Sequence, residues 1–212
     1  IRQMKQDGLG NLFLEFEKRK QDLLKAGYFA EDHKKSKPEY IENIGVITGA
    51  NAAALQDVLS TIQRRWPMMK VTLYPSLVQG NLAPKSLVQS LKKADLCGHD
   101  ALLIVRGGGS FEDLFCFNDV ELVKTIYDLN TYIVSGVGHE VDTTLCDLVC
   151  DHRSVTPTAA AQWVSIDQNE VMAKIIKDKV LLSRNMSIIL DQYRSKLNLY
   201  QNHPYLKDPK SF

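Results

Sequence analysis

Four short apolar runs recur along the chain, and segments of helical period separate them. The runs are IGVIT (44–48), VTLYPSLV (71–78), DALLIV (100–105) and TYIVSGVG (131–138). Between them, NAAALQDVLSTIQRRW (51–66), PKSLVQSLKKAD (84–95) and FEDLFCFNDVELVKTIYDL (111–129) space their apolar residues for one helix face, the last with a break near Asn118. Pro84 suits a first helical turn. Strands that are apolar almost throughout are buried on both faces. The pattern therefore predicts an α/β fold, a mostly parallel sheet with helices on both faces and right-handed crossovers. Ahead of it, residues 8–27 place Leu9, Leu12, Phe13, Phe16, Leu23 and Leu24 at roughly helical spacing, with Gly27 as a stop. Residues 30–40 read as a charged loop.

The pattern changes near Asp167, which predicts an α/β domain over 1–166 and a helical arm over 167–212. Met172, Lys179, Met186, Tyr193 and Tyr200 form one heptad column; Ile175, Leu182, Ile189 and Lys196 form the other. An uninterrupted helix there spans roughly 50 Å and is too long to lie on a small sheet. Its heptads read as the start of an outward-projecting coiled-coil arm, against the plainer reading of one amphipathic helix.

Composition narrows the function classes. Lys+Arg is 26 and Asp+Glu is 25, so there is no general basic coat, and any polyanion must be held by a local patch. Cys97, Cys116, Cys146 and Cys150 lack C-x-x-C spacing and are expected to be reduced and mostly buried, with Cys146 and Cys150 sharing a helix face. No apolar run approaches 18 residues and no signal peptide is visible, which reads as a soluble, cytoplasmic chain. It begins at Ile1 and stops in mid-pattern at KDPKSF, as a piece of a longer protein would.

Parallel strands deliver their loops to one carboxyl edge. There the sequence brings TGANAAALQD after the first strand, RGGGSFED after the third and GHEVDTTLCD after the fourth. RGGGS fits neither G-x-G-x-x-G nor G-x-x-x-x-G-K-[ST], so a dinucleotide site and a Walker-type NTPase are poorly supported. Gly107, Gly108 and Gly109 still let backbone N–H groups approach an anion, and a following helix N-terminus adds partial positive charge. Ser110 suits an N-cap with Asp113 three residues on, and Arg106 suits bidentate phosphate binding. The competing reading is a plain turn with a solvent-facing arginine. His139, between Gly138 and Glu140, has Asp142 three residues on and Asp147 and Asp151 beyond. That pattern suits general acid–base work, a helix cap, or carboxylates holding Mg²⁺. Thr156-Pro157 reads as the start of a helix that adds hydroxyls near this edge. Asp57 alone reads as a solvated helix acid. Arg64, Arg65 and Trp66 close the first helix, as its dipole favours, or steer DNA, with Trp66 as stacking face or as core.

Assembled, these motifs resemble the large-subunit family of exodeoxyribonuclease VII from about Gly8 to Val164, and more loosely along the tail. VRGGGSFEDLFCFN resembles the family's G-R-G-G-G-S-x-E-D-L-W-x-F-N. GVGHEVDTTLCDLVCDHRSVTPTAAA resembles its G-H-E-x-D-x-x-x-x-D-x-x-x-D-x-R-A-x-T-P-S-x-A-A. IGVIT with Asp57 and QRRWP, and LYPSLVQG, resemble its first strand and helix and its second strand. Departures are Gly49–Ala54 in place of S-P-x-G-A-A, Val105 for a glycine, Phe115 for the tryptophan and Thr158 for a serine.

The resemblance implies hydrolysis of single-stranded DNA to oligonucleotides by a catalytic core. It implies Asp57, Arg106, His139 and Asp142 as catalytic groups, and Gly107, Gly108, Gly109, Ser110, Arg64, Arg65 and Thr156 as substrate contacts. A small subunit would dock on the arm in a hetero-oligomer, and an OB-fold that binds single strands would lie outside this chain. No tightly bound metal is implied as obligatory; Mg²⁺ is the possible ion. The alternative is a non-catalytic flavodoxin-like module that binds a nucleotide or single strand and assembles through its helix.

Overall fold

A computed structural model describes residues 2–137 and 143–202, with the side chains of 2–9 and Phe111 left aside. The chain divides into two compact units, Ile1–Ile166 and Asp167–Phe212.

The first unit opens with α1 (Arg2–Lys25). Its end is a Schellman turn. Gly27 has φ +84°, Tyr28 N–H donates to Leu23 O at 3.1 Å, and Gly27 N–H donates to Leu24 O at 3.1 Å. Then follow β1 (Asn43–Thr48), α2 (Ala53–Arg65), β2 (Lys70–Pro75), α3 (Ala83–Asp95) and β3 (Ala101–Val105). After α4 (Phe111–Leu114) and a 3₁₀ turn over Phe115–Asn118, Asp119 caps α5 (Val120–Asp128). The expected break near Asn118 is thus present. β4 (Tyr132–Gly136), α6 (Leu145–Val149), β5 (His152–Arg153) and α7 (Pro157–Val164) complete the unit. β2 is shorter than the apolar run predicts, because its pairing with β1 ends at Pro75.

All five strands are parallel, in the order β2-β1-β3-β4-β5. The α/β class and the helices on both faces follow the sequence expectation. Ile47, Leu102, Ile104 and Ile133 pack with Leu87, Leu91, Leu122, Ile126 and Phe117 on one face. Ile44, Val46, Leu103, Val105 and Val134 pack with Ala54, Val58, Ala160 and Val164 on the other. The two-residue β5, too short to show in the sequence pattern, pairs with β4 through Val134 and Ser135.

The charged loop at 30–40 is tied down rather than free. Asp151, its side chain 3% exposed, accepts from Lys35 N–H and from Ile133 N–H, both at 2.8 Å, and pairs with Lys35 Nζ at 3.2 Å. Farther along, Lys37 Nζ stands 4.8 Å over the Trp163 ring, which stacks on His152 at 3.7 Å.

The expectation that all four cysteines are mostly buried needs correction. Cys146 and Cys150 are buried 4.0 Å apart on one helical turn, but Cys116 is half-buried and Cys97 is exposed. Cys97 follows the last turn of α3, beyond the apolar face that packs on the sheet.

The second unit contains α8 (Gln168–Gln201), capped by Asp167. It buries none of its residues; Met172, Ile175, Leu182, Met186 and Ile189 are all exposed. Among the described residues no helix is long and apolar enough to cross a membrane.

Gly136 allows α7 to press against β4. A Cβ there would meet Ala160 Cβ at 3.0 Å, the Thr156 carbonyl at 3.1 Å and Val105 Cγ1 at 3.3 Å. Gly136→Ala is expected to lower stability by about 1–3 kcal/mol, the usual cost of overpacking, measured by denaturant unfolding. An unchanged midpoint would show that α7 yields without cost.

Acid should loosen the fold through two histidines. His99 is buried, donates from Nδ1 to Asn43 Oδ1 at 3.0 Å, and accepts at Nε2 from Tyr74 O–H at 2.7 Å, so its neutral form is fully bonded. Burial lowers its pKa below the usual 6.5, with Asp100 opposing. His152 is lowered by burial and then by Lys37. A base with a depressed folded pKa stabilises above its unfolded value and loses that contribution as pH falls below it. The unfolding midpoint should therefore drop as pH falls below about 6.5. A double His99→Gln, His152→Gln variant that keeps the same slope would overturn this assignment.

Candidate nuclease site

The order β2-β1-β3-β4-β5 reverses direction between β1 and β3, and ligand crevices form at the carboxyl ends of strands at such a switch point. The loops there are 49–52 and 106–110, the latter containing RGGGS.

Arg106 extends β3 by one residue, its N–H donating to Gly136 O at 3.2 Å. Val105 therefore continues the strand ladder and packs over Gly136. The Arg106 residue is only 6% exposed. One guanidinium nitrogen, Nη2, lies 3.3 Å from Asp113 Oδ2; the other, Nη1, is buried and has no hydrogen-bond partner among the described residues. Its charge reaches Cys116, where burial raises the thiol pKa to about 11 and Arg106 partly opposes the rise. A buried guanidinium with an idle donor is a costly arrangement that an incoming anion would complete.

The glycines give space rather than unusual backbone angles. Among the described residues, positive φ occurs at Gly27, Gly80 and Gly98, not in the 107–109 run. A Cβ at Gly109 would collide with Arg106 Nη2, lie 3.0 Å from Arg106 Cζ and 3.3 Å from Asp113 Oδ2. A Cβ at Gly107 would meet open space. Gly109 is thus the position that lets the guanidinium fold beneath its own loop.

Ser110 is the expected N-cap. Its Oγ accepts from Asp113 N–H, and Asp113 Oδ2 accepts in return from Ser110 N–H, both at 3.4 Å. Asp113 therefore completes the cap and pairs with Arg106 through one oxygen. The expected help from a following helix dipole is small, because α4 is a single turn before the 3₁₀ segment.

His139 and Asp142 lie outside the described residues. Asp57 sits in the second turn of α2 on its exposed side. Among the described residues the ion-pair partner of Arg106 is Asp113, from its own loop, and not Asp57. Thr156 caps α7, its Oγ1 accepting from Ala159 N–H at 3.0 Å, and its carbonyl faces Gly136 at the end of β4. Arg64 and Arg65 close α2 about 20 Å along the helix from its start at this edge. Arg65 Nε there donates to Ser165 Oγ at 3.1 Å, at the far end of α7. Trp66 packs against the core, so its ring is not an open stacking face.

Asp147 and Asp151, carboxylates open to a metal role by sequence, are both engaged by protein donors. Among the described residues no group of three or more His, Cys, Asp or Glu could hold a metal ion. Sequence reasoning missed Thr48 and Asn118. Thr48 ends β1 fully buried with its Oγ1 unpartnered among the described residues. Asn118, 2% exposed, accepts from Leu145 N–H at 2.8 Å through Oδ1 and from Arg19 at 2.7 Å through its carbonyl. A polar residue ending or interrupting an apolar run was the available signal for each.

The chain is similar to proteins named exodeoxyribonuclease 7 large subunit. It is 43% identical over 198 residues to that of Oceanobacillus iheyensis, covering 93% of this chain and 44% of that protein. It is 39% identical to that of Staphylococcus haemolyticus, covering 99% and 47%, and 38% identical to that of Clostridium botulinum, covering 95% and 50%. The chain thus spans about half the length of the curated relatives it matches. The family profile described as exonuclease VII, large subunit, matches residues 28–211, which hold all five strands of the sheet and the long helix, and the chain belongs to that family.

Proposed function

We propose that this chain carries the phosphodiester-hydrolysing core of an exodeoxyribonuclease acting on single-stranded DNA. The observation that carries the reading is the Arg106 guanidinium, buried at the switch-point edge with Nη1 unpartnered among the described residues. A phosphate is the ligand that such a donor fits, and the adjoining open space at Gly107 leaves room for it. The shared name of the relatives supports the same reaction.

In this proposal Arg106, with the N–H groups of Gly107, Gly108, Gly109 and Ser110, holds the scissile phosphate and stabilises charge developing on its oxygens. His139 takes a proton from the attacking water, or gives one to the departing sugar oxygen. The water oxygen bonds to phosphorus as the phosphorus–oxygen bond to that sugar breaks. Asp142 orients the imidazole, and Asp57 completes the acidic side from α2. Thr156 borders the crevice. Arg64 and Arg65, at the far end of α2, guide the strand rather than the reacting phosphate. The apolar columns of α8 are the surface proposed for the small subunit.

His139→Ala should abolish acid-soluble release from labelled single-stranded DNA by the full-length large subunit assembled with its small subunit. Undiminished release by a folded variant would sink the assigned role of His139. Arg106→Ala should slow release on the order of a hundredfold or more, as lost oxyanion donors do.

The glycines separate similarly. Gly109→Ala, which forces Arg106 aside, should cost about tenfold or more in rate, whereas Gly107→Ala stays near wild type. Equal rates for the two would show that the guanidinium position is not what the loop protects.

A further inference from the structure

A cavity of about 390 Å³ opens between α1, the loop 80–84 and the turn that follows the glycine loop. Its volume lies in the range of small-molecule sites. Leu12 of α1 and Phe115 give it apolar sides, and Glu112 and Asp119 give it carboxylates. Glu112 is exposed and Phe115 half-buried, so the cavity is reached from solvent.

Arg19 also lines the cavity, but its charge is already engaged. Nη2 pairs with Glu15 Oε1 at 2.5 Å, Nη1 donates to the Asn118 carbonyl at 2.7 Å, and the guanidinium carbon stands 5.3 Å from the Phe115 ring centroid. The carboxylates therefore set the net charge of the lining, and a phosphate is repelled there. Asp119 uses Oδ1 for the cap of α5, accepting from Glu121 and Leu122 N–H. What fits is a planar ring with N–H donors on its edge, the ring against Phe115 and Leu12 and the donors toward the acids.

The cavity connects to Arg106 through two contacts. Cys116, on its wall, approaches the Asp113 carbonyl with Sγ at 3.5 Å, and Asp113 Oδ2 lies 3.3 Å from Arg106 Nη2. Glu112 and Phe115 flank Asp113 in the chain within one helical turn, about 5 Å of axis. A base carried beside the phosphate on Arg106 is thus within reach of this wall.

We propose that this cavity is a nucleobase subsite of the nuclease, which takes a base next to the scissile phosphate and prefers bases with an exocyclic amino group to thymine. This rests on the phosphate reading of Arg106 given above. Phe115 packs against the ring, as aromatic side chains do for single strands. Glu112 accepts from the amino group of cytosine, adenine or guanine. Thymine flanks its one ring N–H with two carbonyl oxygens, which a carboxylate repels.

The test compares labelled oligo(dC) with labelled oligo(dT) on the full-length large subunit assembled with its small subunit. Both bases are pyrimidines of one ring size, so the comparison isolates the amino group. KM for oligo(dC) should lie about tenfold below KM for oligo(dT), with similar kcat. Glu112→Ala should bring the two KM values within about twofold of each other. A surface charge that touches no base would move both KM values together and keep their ratio. Phe115→Ala should raise both KM values about tenfold with kcat held, and Phe115→Trp should restore them. Glu112→Ala, at an exposed position, decides the question if Phe115→Ala does not fold.

Equal KM values for the two oligonucleotides in the wild type, an unchanged ratio in Glu112→Ala, or unchanged KM values in folded Phe115→Ala overturn the subsite. If Arg106→Ala is slow while the Glu112 and Phe115 variants behave as wild type, this inference alone fails. If Arg106→Ala runs at the wild-type rate, the phosphate reading beneath it fails, and the place of the cavity beside the scissile phosphate fails with it.

Discussion

A parallel strand covered by helices on both faces has no solvent face on which to place a polar side chain. Its chemistry is confined to its ends. In this chain the constraint is severe: every residue of β3 and β4 is buried, and Ile44, Val46 and Ile47 of β1 are inaccessible. Asn43 and Tyr132 stand at the amino ends of β1 and β4; at or near the carboxyl ends stand Thr48 on β1, Arg106 after β3 and Ser135 in β4. Because all five strands run the same way, these ends share one edge, and the strand order opens a crevice beside β3.

Arg106 shows how local sequence and burial depend on each other. An arginine 6% exposed requires a carboxylate, a loop that does not fill its space, and donors left for a ligand. Asp113 supplies the carboxylate while also completing the Ser110 cap, so the start of α4 and the orientation of the guanidinium are set together. Gly109 supplies the space. The same economy recurs at Asp147, where a cap and a tie between β4 and α6 share one carboxylate.

Much of the architecture was legible because its signals are local. The apolar runs, Pro84, the Ser110 and Thr156 caps and Gly27 each depend on neighbours within a few residues, and each is found where the pattern puts it. What was not legible depends on partners far along the chain. Asp151 looks like one more acid after His139 until Lys35, 116 residues earlier, is found on it. Arg64 and Arg65 look like neighbours of the glycine loop until α2 carries them to the opposite edge, where Arg65 meets Ser165. Cys97 looks like its buried fellows until the end of α3 leaves it in solvent.

By itself, the sequence determined the fold class, the family and the residue types at the carboxyl edge, because periodicity, caps and ordered motifs are properties of the chain read in one dimension. Only the tertiary structure decided which of those residues are sealed from water and what they meet there. It showed Gly109 as the space for a guanidinium, left Nη1 of Arg106 without a partner among the described residues, and gave Asp147 to Ser135 and Thr144. The physical reason is that burial and hydrogen-bond satisfaction are set by pairs of atoms brought together through the sheet, and no spacing along the chain encodes them.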